Sequence, residues 1–530
     1  MKHQLIQTPV LRTTSRIAGV TVALTLMAAC TSGSEGSPTG AQGDTLRIGV
    51  PGVATPASLD PARGAVTAAN LFFDLAYAPL IHINQKGEFE AGLAESWEYL
   101  DGNEHRVFQL SLRTDARFSD GTPVDAEAVK AWLEYFMESG GPFSSAFGKG
   151  ATVETPSDRK VVLRMKTPNT DVAWQLSQTN GAGFVAATAG LKGKALTRST
   201  FGAGPYVYDA GESVPGDTYT LTPNKHYWDQ SAIRWKKVVI KAVPSATALV
   251  QGMASGQFGA GVGSLNTIGS AEKAGLGVVS GQLSWDGISI LNRAGERNPM
   301  SDVKVRQALN YAVDRETLVK GILQGHGRPT AAWVTLDGAD PESQSDYAYD
   351  PERAKELLEE AGYPSGITFK LLANSGALPS GVPAEQLVQA MAQQMQAAGI
   401  TLKTTFATPT DLMAEQASGK YDATLTSFGS NAYGTYYPVF VSPNAILNLG
   451  KVTDPTIERL TREYLVAPDP KALSQKITRY VTDEALQIPL FVPESVMYTT
   501  GAVTNVGFPT DAGGLGRAIY PDPSEWRPKK

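Results

Sequence analysis

The chain has 530 residues, 42% hydrophobic and 18% charged, with a formal net charge of −6. It is too long for one hydrophobic core and too apolar for a disordered chain, so two or three folded lobes are expected. No lysine or arginine block stands ready to neutralise phosphates, which excludes the basic footprint of a nucleic-acid binder. Five histidines and one cysteine leave little for a soft metal site, and neither a metal nor a cofactor is expected.

The first element is a targeting segment. Lys2, Arg12 and Arg16 precede an apolar run from Ile17 to Ala29, and no acidic residue occurs before Glu35. The run is shorter than the roughly 20 residues that a membrane-spanning helix needs, and it ends on small side chains, so it has the form of a signal peptide. Leu26-Met27-Ala28-Ala29-Cys30 resembles the lipobox of bacterial lipoproteins, although Met27 stands where that motif usually has Leu. That resemblance implies cleavage after residue 29 and acylation of Cys30, the sole cysteine. The small polar stretch from Thr31 to Asp44 has the composition of a flexible tether.

The globular pattern starts at Thr45. Thr45–Val50, Val107–Leu112 and Lys160–Met165 alternate as strands do. Between the last two, Asp125–Phe136 has helical spacing with Asp125 at the N-cap. Apolar residues from Val303 to Ile322 predict one helix. Asp350 to Gly362 predicts another, with Asp350 as cap, Pro351 at the first helical position and Gly362 as the stop. Helix Ala384–Ala398, strand Ile400–Phe406 and strand Tyr421–Phe428 then alternate as in an α/β lobe.

Several blocks carry a resemblance. Leu59-Asp-Pro61, Tyr77-Ala-Pro-Leu80, Glu90 to Trp97 and Phe118 to Glu127 come first. Gly202-Ala-Gly-Pro-Tyr206, Asn224-Lys-His-Tyr-Trp228, Val303 to Arg315, Asp350 to Pro364 and Ile488-Pro-Leu-Phe491 follow. In this order and spacing the chain resembles the family 5 extracellular solute-binding proteins, the oligopeptide-, dipeptide- and nickel-binding components of ABC importers. The resemblance implies an α/β, periplasmic-binding-protein-like class II fold: two main lobes with a hinge, an inserted third lobe, and a ligand cleft between lobes. On that pattern 1–29 is the signal peptide, 30–44 the tether, and 45–78, 195–285 and 500–530 the first lobe. Residues 79–194 would form the inserted lobe and 286–499 the third. Taken alone, most of these residues have plainer roles: Trp97, Trp228 and Tyr206 read as packing, and Arg306, Asp314 and Arg315 as helix-face ion pairs or caps.

Peptide-binding members of the family pair an aspartate, shortly after a Trp-bearing strand, with the peptide's ammonium. Here Phe428 stands where the Trp is common, and Asn431 or Ala432 where the Asp would lie. No Asp or Glu occurs from Ala423 through Thr453. A buried ammonium without a carboxylate is costly, so the segment suits a polar neutral or mixed ligand unless an acid from elsewhere, such as Asp411 or Asp286, supplies the charge. The expected ligand contacts are Ser427, Phe428, Gly429, Ser430, Asn431 and Tyr433, with Trp285, Gly287 and Ser289 at the hinge approach and Phe491 after the last crossover strand.

The chemistry of an enzyme is missing from the sequence. It has no Gly-x-Ser-x-Gly elbow, His-Glu-x-x-His or phosphate-binding loop, and His82, His105, His226 and His326 are scattered without metal-ligand spacing. The expectation is therefore a monomeric, lipid-anchored protein on the extracytoplasmic face of the cell membrane. It would take up a small molecule or peptide and pass it to an ABC permease and ATPase complex, with no nucleic-acid partner. A ligand-sensing lipoprotein of the same fold is the alternative, and a secreted hydrolase a more distant one.

Overall fold

The computed structural model describes residues 44–529, apart from 52–54, 57, 66, 142, 180, 334–341, 409–410, 430–432 and 510–519. Cys30 therefore lies outside the described residues, as do Ser430, Asn431 and Ala432. No helix among the described residues is long and apolar enough to cross a membrane.

Three larger sheets organise the chain. A seven-stranded mixed sheet has Thr45–Pro51 at its centre, parallel to Lys237–Val243 on one side and to Ala260–Val262 on the other. Gly277–Gly281 and Ser495–Thr499 complete one edge, Thr218–Pro223 and Tyr206–Tyr208 the other. A four-stranded antiparallel sheet is built from Ala94–Tyr99, Val107–Leu112, Lys160–Arg164 and Thr152–Ser157. Helix Ala126–Glu138 packs on this sheet, with the Asp125 carboxylate accepting from Ala128 N, the cap the sequence predicts. The four- and seven-stranded sheets share one continuous core, which runs from Leu46 and Ile48 through Phe72, Phe73 and Trp132 to Trp526.

The six-stranded sheet has the order Gly327–Pro329, Gln487–Pro493, Ser284–Ile290, Ala423–Gly429, Ile367–Asn374, Ile400–Ala407. Ser284–Ile290 is central, and its alternation serves two cores. Ile288 and Ile290 join Leu425, Phe369 and the helices Val303–Tyr311, Arg315–Ile322 and Ala384–Ala397. Trp285 points the other way, into an aromatic core with Trp333, Tyr436 and Phe440.

The chain changes sheet between Gly281 and Ser284 and again at Glu494, with Ser495–Thr499 already paired in the seven-stranded sheet. The strands on either side of each change mix apolar and small polar residues alike, so composition marks no break there.

The helix predicted over Val303–Ile322 is two helices, Val303–Tyr311 and Arg315–Ile322. Asp314 leaves the helical region (ψ 90°), and its carboxylate accepts from the N–H and hydroxyl of Thr317, capping the second helix. Helix Pro351–Glu360 keeps its Asp350 cap, and Gly362 beyond it takes φ +89° as expected of a helix stop.

Arg306 and Arg315 are not surface ion pairs. Arg315 is 6% exposed and its guanidinium donates to the carbonyls of Thr330, Pro489, Asn310 and Tyr347 and to the Asn310 side chain. Arg306 is 5% exposed and donates to the carbonyls of Glu484, Met300 and Ser301, with the Glu484 carboxylate at 3.7 Å. Their charges tie the first helix pair to the strand Gln487–Pro493 and the turn before it. A periodicity argument sees only which helical face a residue occupies, not which loop returns to meet it.

Candidate ligand site

Strand Ser284–Ile290 runs antiparallel to Ala423–Gly429, with Trp285 opposite Phe428, Asp286 opposite Ser427, Gly287 opposite Thr426 and Ser289 opposite Thr424. On its other side Asp286 faces Phe491. Of the residues expected from the sequence, Trp285, Gly287, Ser427, Phe428, Gly429 and Phe491 lie on neighbouring strands of this sheet, but they do not share one environment.

Ser427, Phe428 and Gly429 are half-buried. Trp285, Gly287, Ser289, Tyr433 and Phe491 are buried. Trp285 donates its indole N–H to the Tyr436 hydroxyl at 2.8 Å and packs against Phe440 with ring centroids 5.9 Å apart. Phe428, half-buried, meets Tyr436 and Phe440 edge-on at 5.0 and 4.9 Å and forms the lip of this aromatic core. The Tyr433 hydroxyl bonds Thr461 Oγ1 at 2.7 Å. Gly287 is required by close approach: a Cβ would lie 2.7 Å from the Ile488 carbonyl oxygen and 2.9 Å from Pro489 Cα. The pairing shifts register there, leaving Leu490 of the partner strand as the extra residue.

Asp286 is the residue that sequence reasoning left as an alternative. It occupies the same face as Ile288 and Ile290, is fully buried, and its Oδ2 accepts a 2.6 Å hydrogen bond from Ser380 Oγ. Burial pushes its carboxyl up to about 7, against the opposing pull of the Ser380 and Ser427 hydroxyls. Its signal in the sequence was an acid inside an otherwise apolar strand. Ser380, in the turn after strand Ile367–Asn374, carried none. Asp411 is exposed and accepts from its neighbour Thr408.

The two changes of sheet lie beside this region. Arg328 Nε donates to Gln282 Oε1 at 3.1 Å, and Glu494 N donates to the His326 carbonyl at 3.2 Å, so strand Gly327–Pro329 contacts both.

A mixed α/β chain of several sheets, two of them joined by paired strands, is the periplasmic-binding-protein arrangement. The binding protein AgaA of A. tumefaciens R10, solved in complex with agropinic acid, superposes with a TM-score of 0.73 at 21% identity, covering 89% of this chain and 95% of that one. The description "Bacterial extracellular solute-binding proteins, family 5 Middle" matches residues 88–444, and the chain belongs to that family. It is a solute-binding protein of the ABC-transporter type. The Escherichia coli K12 protein named as the probable D,D-dipeptide-binding periplasmic protein DdpA is 24% identical over 490 residues, 84% of this chain and 88% of its own length. The glutathione-binding protein GsiB of Shigella dysenteriae serotype 1 is 24% identical over 482 residues, 86% and 91% of the two lengths.

Proposed function

We propose that the chain is an extracytoplasmic lipoprotein, anchored through acylated Cys30, that encloses a small polar solute between its lobes and delivers it to an ABC permease and ATPase complex. The observation that carries this reading is the family match, with relatives named for dipeptide and glutathione binding aligned over most of both chains. The lobe division, with residues 79–194 inserted and the ligand between the first and third lobes, belongs to the same proposal. So does a site centred on Ser427, Phe428, Gly429, Ser430 and Asn431. Enclosure suits such a receptor because it removes the ligand from water and makes closure itself the signal that a permease can read.

With no acid between Ala423 and Thr453, the site is suited to ligands held by hydroxyl, amide and aromatic groups. Native mass spectrometry of protein purified without added ligand tests this directly. A retained small polar molecule supports the proposal, whereas measurable turnover of a peptide or sugar panel without tight binding would displace it.

One observation favours a second reading. Asp286 stands opposite Ser427 and is the acid that the strand Ala423–Gly429 itself lacks. A ligand ammonium brought to that end of the sheet would find its counter-charge there, at the cost of ionising a buried carboxyl.

A further inference from the structure

A cavity of about 560 Å³ takes none of its lining from the six-stranded sheet. Its wall includes Asp74, His82, Glu90, Asp522 and Glu525, from a helix, a hairpin and the end of the chain. In the hairpin Ile81–Ile83/Phe89–Ala91, His82 and Glu90 are direct cross-strand partners, and His82 Nδ1 lies 2.8 Å from Glu90 Oε1. The C-terminal segment turns over this hairpin at Pro523–Glu525, capped by the Asp522 carboxylate on Ser524 N. That turn puts Asp522 Oδ2 3.4 Å and Glu525 Oε1 3.8 Å from His82 Nε2. Among the described residues, His82, Glu90 and Glu525 form a group whose donor atoms all lie within 4.8 Å of one another.

A hydrogen-bonded imidazole among carboxylates can be a plain ion cluster. Asp74 points beyond that. It comes from helix Asn70–Ala76, is 4% exposed, lines the same cavity, and neither of its carboxylate oxygens has a hydrogen-bond partner. A buried carboxylate without a donor is a strongly unfavourable arrangement that a nearby cation would relieve. Arg113, Arg234, Arg527 and Lys86 also line the cavity. Arg113 is engaged by Asp115 at 2.6 Å and by the Trp228 ring at 4.4 Å. Around the cluster, Gln85 Nε2 donates to Glu525 Oε2 at 2.9 Å and Asn84 Nδ2 to Glu90 Oε2 at 3.2 Å.

We propose that His82, Glu90 and Glu525 form a divalent-cation site, with Asp522 beside it and Asp74 as the buried counter-charge behind it. One imidazole nitrogen and carboxylate oxygens are a borderline donor set that suits zinc and its first-row neighbours better than calcium or magnesium. Bonds of about 2.1 Å in a tetrahedral arrangement place donors about 3.4 Å apart, inside the 4.8 Å within which the three donor atoms already lie. The ion would replace the proton shared by His82 and Glu90 and would pin the C-terminal turn to the hairpin. Sequence spacing gave no hint of it, because the third donor comes from the opposite end of the chain.

The test uses untagged, chelator-stripped full-length protein titrated with zinc chloride by calorimetry, with cobalt(II) absorption as a second readout. The expected result is one saturable equivalent per chain, weakened at least tenfold by H82A and by E525Q and unaffected by D286N in the other sheet. Glu90 is half-exposed, so E90Q offers a variant that should fold normally and still bind more weakly. For the unmodified protein, the melting temperature should rise with zinc and return with chelator. Absence of saturable uptake, a melting temperature indifferent to zinc, equal uptake in H82A and E525Q, or loss of uptake in D286N would each overturn the proposal.

Discussion

Ser380 donates a 2.6 Å hydrogen bond to the carboxylate of Asp286, a fully buried acid on a face otherwise made of Ile288 and Ile290. The carboxyl titrates at about 7 in the folded chain, against about 4 for an unfolded aspartate. Between those values the folded state holds a proton that the unfolded state has released. The stability linked to that proton is complete below about pH 4 and is lost as pH rises toward 7, by up to about 1.4 kcal/mol per unit. Asp286→Asn cannot ionise and should lose this slope, so its stability relative to the parent should improve from pH 5 to pH 7.5. Urea melts at the two pH values check it, and parallel behaviour of the two proteins would refute the assignment.

The acid-free stretch from Ala423 to Thr453 leads to a selectivity test. A bound peptide should tolerate acetylation of its amine, with free and acetylated forms matched in affinity within about threefold, less than the 1–3 kcal/mol of a charge-assisted hydrogen bond. Calorimetry with such a pair decides. A strong preference for the free amine that disappears in Asp286→Asn would assign the counter-charge to Asp286 and replace the neutral-ligand reading with the second one.

Arg315 donates to the carbonyls of Thr330, Pro489, Asn310 and Tyr347, and more distantly Val313, and to the Asn310 side chain, from a buried position. Arg315→Ala strands these acceptors and opens a cavity, and should cost about 3–5 kcal/mol, the range for breaking a buried charge network. A change in denaturation midpoint worth less than about 1 kcal/mol would show that the carbonyls find other donors.

Cys30→Ala should release the protein into the soluble fraction or leave it unprocessed, because no acyl chain can then be attached. Retention on membranes after a high-salt wash, equal to that of the parent, would remove the anchor from the account.

Ligand at saturation should lower the radius of gyration in small-angle scattering and raise the melting temperature as its concentration passes the dissociation constant. An unchanged radius at saturation would leave the proposed closure without support.

Much of the fold was legible because caps and alternation are local. Asp125, Asp350 and Pro351 mark their helix starts within a few residues, and Val107–Leu112 is a strand with the expected limits. What the sequence concealed depended on distant partners. Asp314 reads as an ion pair or a cap, and it caps Thr317, a local role; the distant ones are different. Arg315 reads as a helix-face cation until the Pro489 carbonyl arrives from 174 residues away. In the candidate site, the Trp285–Phe428 pairing joins two segments the sequence had singled out separately, but it could not tell that Trp285, Tyr433 and Phe491 lie under the surface while Ser427 and Phe428 lie at it.

The two crossings between the large sheets share one further property. Gly277–Gly281 and Ser495–Thr499 are paired on one side of them, Ser284–Ile290 and Gln487–Pro493 on the other, so the link is a two-stranded ribbon rather than two separate threads. A ribbon of that kind is soft to bending across its flat face and stiff to bending within its plane, like a leaf spring. In the proposed closure it would confine the two halves to a swing about one line, with a rest angle set by the packing around Gln282 and Glu494. A substitution at either residue would then act like a change in spring tension, shifting how far the protein stands open before any ligand arrives.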